Sequence, residues 1–380
     1  MLFRSNGSSW FSRNNGTATV SVNGNLTVNS GNLSLKGGTG AASLNLSGAF
    51  TQAGGTFYLH NNTSTPTTSV CAVHVGGDFA QSSGIFNYDN NASFTSATHT
   101  LNIHGTNYTL SGGTMTHAGA GTSGAFGQVN FARVGTIQFS AENSHIITQV
   151  KQNIKPSCTL KINDGGLRIS SHATPATDYL RVESGGTLDL KSSQIVSNGF
   201  FSNSGIQIDS AGILSTENTA GIYNGTQSAA INAGGNMNFS LHPYSIVEYN
   251  GHLPQLITGT GIGNATGTQH KYGILRVNFT GAPRSISLAM GNIFVRTRLE
   301  LLKGELDLNS QTLTIENGNS NAIVRTNGYI KDKNTTIGFI CWKNMTLGIH
   351  IFPFGESPAE YIPVSFSVLS GTGNDVSIAT

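Results

Sequence analysis

The chain has 380 residues, of which 48 are glycine and only 10% are charged, with 20 Lys+Arg set against 18 Asp+Glu for a formal net charge of +2. Glycine, at 48/380 or about 13%, stands well above the usual 7%, and charge well below the usual 25%. Charge-driven disorder is excluded, because 19 Phe and 10 Tyr supply burial capacity. Nucleic-acid binding through a basic surface is excluded by the balanced charge, and a long helical fold by the weight of Gly, Asn, Ser and Thr.

Residues 1–16 read as an N-terminal cap or a cut end. Met1–Gly7 lacks the charged and apolar regions of a secretory signal, and no run of 18 apolar residues spans a membrane as a helix. From 17 to 240 the chain carries a degenerate repeat in which short alternating apolar pairs are separated by glycine turns. Successive copies begin at Val20, Leu44, Val73 and Leu101, spaced 24, 29 and 28 residues apart. That period is one coil of a β-solenoid. Each segment buries one face, and stacked coils pair every strand with its equivalents above and below. Glycines at the corners let the chain change direction.

Further copies follow as Leu160–Ile162, Leu167–Ile169, Leu180–Val182, Leu188–Leu190 and Ile206–Ile208. The stretches 61–69 and 117–128 read as loops. A second style of unit occupies 241–330, and an earlier copy of its plan runs over 135–170. In 331–380 the prolines Pro353, Pro358 and Pro363 suit edges and loops, so this segment reads as the start of a β-sandwich-like module or a cap. The strand-like end at Val376–Thr380 reads as a cut, making the chain part of a longer one. The fold class is all-β: a parallel β-helix or β-solenoid with a sandwich-like or capping C-terminal segment.

Candidate chemistry is sparse. Cys71, Cys158 and Cys341 are odd in number, far apart and set among apolar neighbours, which reads as buried free thiols. The acids Asp78, Asp89, Asp164, Asp178, Glu183, Asp189, Glu305 and Asp307 are dispersed. Asp178, Glu183 and Asp189, with Arg181 between them, make the densest acidic cluster and the first candidates should the chain be a carbohydrate-active β-helix enzyme, such as a polysaccharide lyase or hydrolase. His99 and His104 flank Leu101–Ile103 and read as solvent-facing, as does His74 between Val73 and Val75. Gly259–Gly263 has no Lys-Ser/Thr to make a phosphate loop. Trp10, Tyr58, Tyr88 and Tyr108 could form a sugar-stacking surface, although the alternation around Phe57 and Phe86 favours aromatic stacking inside. No cofactor and no metal is assigned.

Ser245–Gly251, Gly304–Asn309, Leu313–Ile315, Thr326–Ile330 and Phe352–Gly355 together resemble the large repetitive surface proteins of Bacteroidetes-type bacteria. The resemblance covers mainly 245–370 and, more loosely, 20–240. It implies an exported adhesin-like β-solenoid, often sent across the outer membrane by the type IX route through a separate C-terminal sorting domain, which is not visible in this sequence. The expected function is therefore a noncatalytic, extracellular or outer-surface rigid rod whose polar loops make weak multivalent contacts. The expected partner is a surface polysaccharide or another cell-surface component, with no nucleic acid and no transmembrane helix.

Overall fold

A computed structural model describes residues 2–3, 8–61, 70–90, 99–117, 127–142, 146–148, 150–164, 166–169, 180–197, 205–222, 229–232, 238–258, 271–281, 285–289, 291–331, 337–371 and 373–379. The described residues contain strands and turns but no helix, and the parallel strands stack as a β-solenoid of about 9 turns. The chain divides into two compact units. The first comprises Met1–Leu188, Ile195–Ile206 and Ala233–Met237, and the second Asp189–Gln194, Gln207–Asn232 and Asn238–Thr380.

In the first unit each coil contributes a strand to one continuous face. Ala18–Val22, Ala42–Leu46, Cys71–Val75, His99–Ile103, Gly127–Phe131, Val150–Ile154 and Leu180–Val182 pair in parallel, in that order. The register places Val20 against Leu44, Leu44 against Val73, and Val73 against Leu101, the same residues that begin the sequence repeats. Period-two alternation then decides what is inside: Leu44, Leu46, Val73, Val75, Leu101 and Ile103 are buried.

The remainder of each early coil follows a fixed count. Ala18 to Lys36, Ala42 to His60 and Cys71 to Asp89 each span 18 positions. All variation in coil length falls after that span, with 6 positions from Lys36 to Ala42, 11 from His60 to Cys71 and 10 from Asp89 to His99. Phe50, Phe79, Tyr108 and Phe139 stack in register as one interior column, at centroid spacings of 5.2, 5.1 and 5.7 Å. A second interior column runs Leu33, Phe57, Phe86, Met115. Each such side chain contributes about 1.5–3 kcal/mol by burial, and each aromatic pair about 0.5–1.5 kcal/mol more. Tyr88 and Tyr108 therefore belong to the core, whereas Trp10 and Tyr58 are half-buried.

One corner demands glycine. Gly31, Gly55, Gly84 and Gly113 all have positive φ, between 66° and 86°. A Cβ on Gly55 would lie 2.4 Å from the Gly31 carbonyl oxygen, and one on Gly84 would lie 2.4 Å from that of Gly55. The conformation and the close approach of successive coils thus impose the same residue.

In the second unit, Ile213–Thr216, Ile246–Tyr249, Lys271–Asn278, Ile293–Lys303 and Ile323–Arg325 stack in parallel, with Leu214, Val247, Leu275 and Leu299 forming its interior column. Another face pairs Gln255–Thr258, Ser285–Ala289, Glu305–Asp307 and Tyr329–Lys331, burying Ile286, Leu306 and Ile330. Phe339–Met345 continues the parallel stack on Thr312–Ile315, and Asn374–Ala379 then pairs with it antiparallel. Gly348–Phe352 and Val364–Val368 form an antiparallel pair joined through the segment that holds all three late prolines. Trp342 is fully buried there, its Nε1 donating to the Asn317 carbonyl at 2.8 Å and its ring meeting Phe352 at 5.3 Å.

Gly84→Ala combines a disfavoured φ with a backbone collision, while Gly24→Ala at φ 126° has open space around its Cβ. Urea unfolding is expected to show Gly84→Ala the more destabilising, by about 2 kcal/mol or more. Equal midpoints for the two variants would contradict the stacked-corner account.

Candidate functional site

Among the described residues, Glu183 and Asp189 are not assembled into a bare carboxylate pair. Glu183 receives the Lys155 ammonium at 2.6 Å across one coil spacing. Asp189 accepts from Ser215 Oγ at 3.1 Å and from Lys191 at 3.2 Å, and Lys191 also reaches Glu217 at 2.9 Å. Asp178 lies outside the described residues, as do the loop segments 62–69 and 118–126 and the glycine-rich 259–270. Cys71 and Cys158 are buried free thiols, pushed up to about 12 and about 11 by burial, and Cys341 is a half-buried one.

The concentrated chemistry lies at residues the sequence reading did not bring together. Lys36, His60 and Asp89 occupy the same register position on successive coils and are fully buried. Lys36 Nζ is held by the carbonyls of Asn14 at 2.5 Å and Gly16 at 2.6 Å, with Ser12 Oγ at 3.4 Å. His60 presents Nδ1 to Asp89 Oδ1 at 3.3 Å and Nε2 to the Gly38 carbonyl at 3.3 Å. On its other oxygen Asp89 meets His99 Nε2 at 3.1 Å. His99 Nδ1 accepts the Cys71 backbone N–H at 3.0 Å. His117 is buried beside them, its ring centroid 6.2 Å from that of His99.

His99 is therefore a core residue and not a solvent-facing one. Positions 99, 101 and 103 share a parity, so His99 points inward with Leu101 and Ile103, whereas His104 and His74 point outward and stack at 5.9 Å. The signal for the cluster was present in the repeat itself: aligning coils on Ala18, Ala42 and Cys71 puts Lys, His and Asp at one repeat position.

Hydrogen-bond polarity fixes the chemistry of the cluster. A backbone N–H can only donate, so the Cys71 bond leaves the His99 ring proton on Nε2, which donates to Asp89. Both nitrogens of His60 face oxygen atoms, Asp89 Oδ1 and the Gly38 carbonyl. One donor atom each from His60, Asp89 and His99 lie within 4.8 Å of one another, a spacing a divalent cation could use. A metal at His99 Nε2 would need the ring proton on Nδ1, where the Cys71 N–H already points. The residues fit a proton-filled cluster and not a metal centre.

Burial works to raise the Asp89 carboxyl, but the hydrogen bonds from His60 and His99 outweigh it and bring it down to about 2. Burial lowers His99 despite its Asp89 bond, and lowers His117 to about 4 with a smaller push from His99.

The outward side of the seven-strand face carries a different pattern. Asn45, His74, Asn102, Asn130 and Asn153 form one register column, followed by Arg181, with Asn130 and Asn153 themselves buried. Asn153 Nδ2 donates to Asn130 Oδ1 at 3.1 Å, and Asn130 Nδ2 donates to Asn102 Oδ1 at 2.8 Å. Beside it run Thr19, Ser43, Ala72, Thr100, Gln128 and Lys151. Fold and surface together define a β-solenoid with an amide- and hydroxyl-bearing face. No protein-family model, curated protein or solved structure was found to match the chain.

Two outcomes follow. Replacing Asp89 by Asn leaves buried histidines without their carboxylate and should cost about 3–5 kcal/mol in urea unfolding, against about 1 kcal/mol or less for the half-exposed Glu183→Gln. For pH, the unfolded chain binds a proton at His117 near pH 6.5 and the folded chain only near 4, so stability is full above 6.5 and is lost as pH falls toward 4. That gap corresponds to about 3 kcal/mol, and a urea midpoint that stays flat across this interval would contradict it.

Proposed function

We propose that the chain is a noncatalytic protein of the cell surface or extracellular space. In this reading the solenoid is a rigid scaffold whose outward polar groups make weak, multivalent contacts with a surface polysaccharide or another cell-surface component. The observation that carries the reading is the outward face of the first unit. From Thr19 to Asn130 its two register columns hold hydroxyl, amide, imidazole and methyl side chains and no Lys, Arg, Asp or Glu. Uncharged, regularly spaced hydrogen-bonding groups suit a neutral polymer of hydroxyls, and repetition lets individually weak contacts add through avidity.

The pairing of Glu183 with Lys155 and of Asp189 with Lys191 supports the noncatalytic side, because a carboxylate held by an ammonium is a poor general base. The resemblance of 245–370 to exported Bacteroidetes-type surface proteins supports an outer location and an adhesin-like role.

Cosedimentation with insoluble neutral polysaccharides separates this reading from a carbohydrate-active enzyme. The expected result is weak retention of the free protein, rising about a hundredfold when it is displayed in many copies on beads, with no release of reducing ends. Reproducible turnover that disappears in Asp189→Ala would establish the enzyme instead.

A further inference from the structure

The cluster around Asp89 sits where the constant 19-residue span of the early coils ends, and it ties several coils and two faces together. His60 and Asp89 belong to one face, while His99 and the Cys71 amide belong to the other. The connection between the faces is thus a chain of hydrogen bonds: Gly38 carbonyl, His60, Asp89, His99, Cys71 N–H. Its last link has a fixed direction. The Cys71 amide can only donate, so it holds only while His99 Nδ1 keeps a lone pair.

A second proton on His99 would place N–H against N–H at that link. It would also add positive charge to a dry corner that already holds the Lys36 ammonium. The groups facing His99 are Asp89 and His60 on the neighbouring strands, the Cys71 thiol and amide, Lys36 one coil further away, and His117. Asp89 is the single anion among them and is shared with His60. His117 adds a further positive charge once protonated, so acid makes the corner more cationic.

We infer that this corner of the first unit is an acid-sensitive latch, in which protonation of His99 breaks its bond to Cys71 and frees the start of the Cys71–Val75 strand from the adjoining face. The latch is independent of what the outer surface binds. The stacked coils on either side remain paired through their own backbone ladders, so release is local opening and not global unfolding.

Hydrogen exchange on the whole chain, corrected for intrinsic pH dependence, tests it at about pH 7.5 and about pH 5. Protection of Cys71–Val75 and His99–Ile103 is expected to fall by about tenfold or more relative to Val150–Ile154, on the same face and away from the cluster. His99→Asn keeps an acceptor near Cys71 but cannot titrate, and its protection there should change far less with pH. Nitrogen shifts of the wild-type imidazoles supply a reading that needs no variant. His99 should show the Nε2–H tautomer at the higher pH and become doubly protonated over the interval in which protection is lost. Protection that tracks the Val150–Ile154 strand, an equal acid response in His99→Asn, or double protonation of His99 without loss of protection would each overturn the latch. So would added Zn²⁺ that shifts the His99 nitrogens and abolishes the acid response, which would identify a metal site.

Discussion

Parallel, in-register pairing between successive coils is the constraint from which the remaining features follow. It sets each residue directly above and below its equivalents, so any property of one side chain is repeated along a column. Apolar equivalents then become continuous interior columns such as Phe50, Phe79, Tyr108 and Phe139. Amides become a hydrogen-bonded row from Asn102 to Asn153. Charges must alternate or be separated, because equal charges one strand spacing apart repel. In the second unit Glu248, Arg276 and Glu300 obey this rule, with Arg276 donating to Glu300 at 2.6 Å. The low content of charge in the sequence is therefore a condition of stacking.

The same constraint gives the Asp89 cluster its composition. A column running Lys36, His60, Asp89 places its one anion beside the histidine and leaves the lysine to backbone carbonyls. Burying such groups is costly unless each is hydrogen-bonded. The network meets that demand by borrowing Gly38, Cys71, Asn14 and Gly16 from the main chain. Its specificity is one of proton placement, which distinguishes it from a metal cluster with similar interatomic spacing.

Much of the fold was legible in the sequence because the repeat and the register are the same fact. Val20, Leu44, Val73 and Leu101 begin the copies and also pair across coils. Glycine positions were legible as corners, though not that the Gly31, Gly55, Gly84, Gly113 column leaves no room for a Cβ at Gly55 or Gly84. The cluster was missed for two physical reasons. His99 was assigned by chemical type, whereas parity with Leu101 decides its direction. His60 is not singled out by the sequence pattern and Asp89 stands there among dispersed acids, although the 29 residues between them are one coil. Glu183 and Asp189 are legible as charged surface positions, and Lys191 lies two residues from Asp189, but the pairing of Glu183 with Lys155, 28 residues away, is one that only the fold reveals.

The constant 19-residue span carries a consequence for how such a chain can change over generations. The coils that begin at Ala42 and Cys71 are 5 and 4 residues longer than the one that begins at Ala18, and the whole difference falls between His60 and Cys71 or between Asp89 and His99. Insertions there leave every downstream residue in its column, whereas an insertion of one residue within a strand would turn the following side chains of that strand to the opposite face. The corner beside the buried charges is thus a place where new segments can be grafted into these early repeats without renumbering the stack.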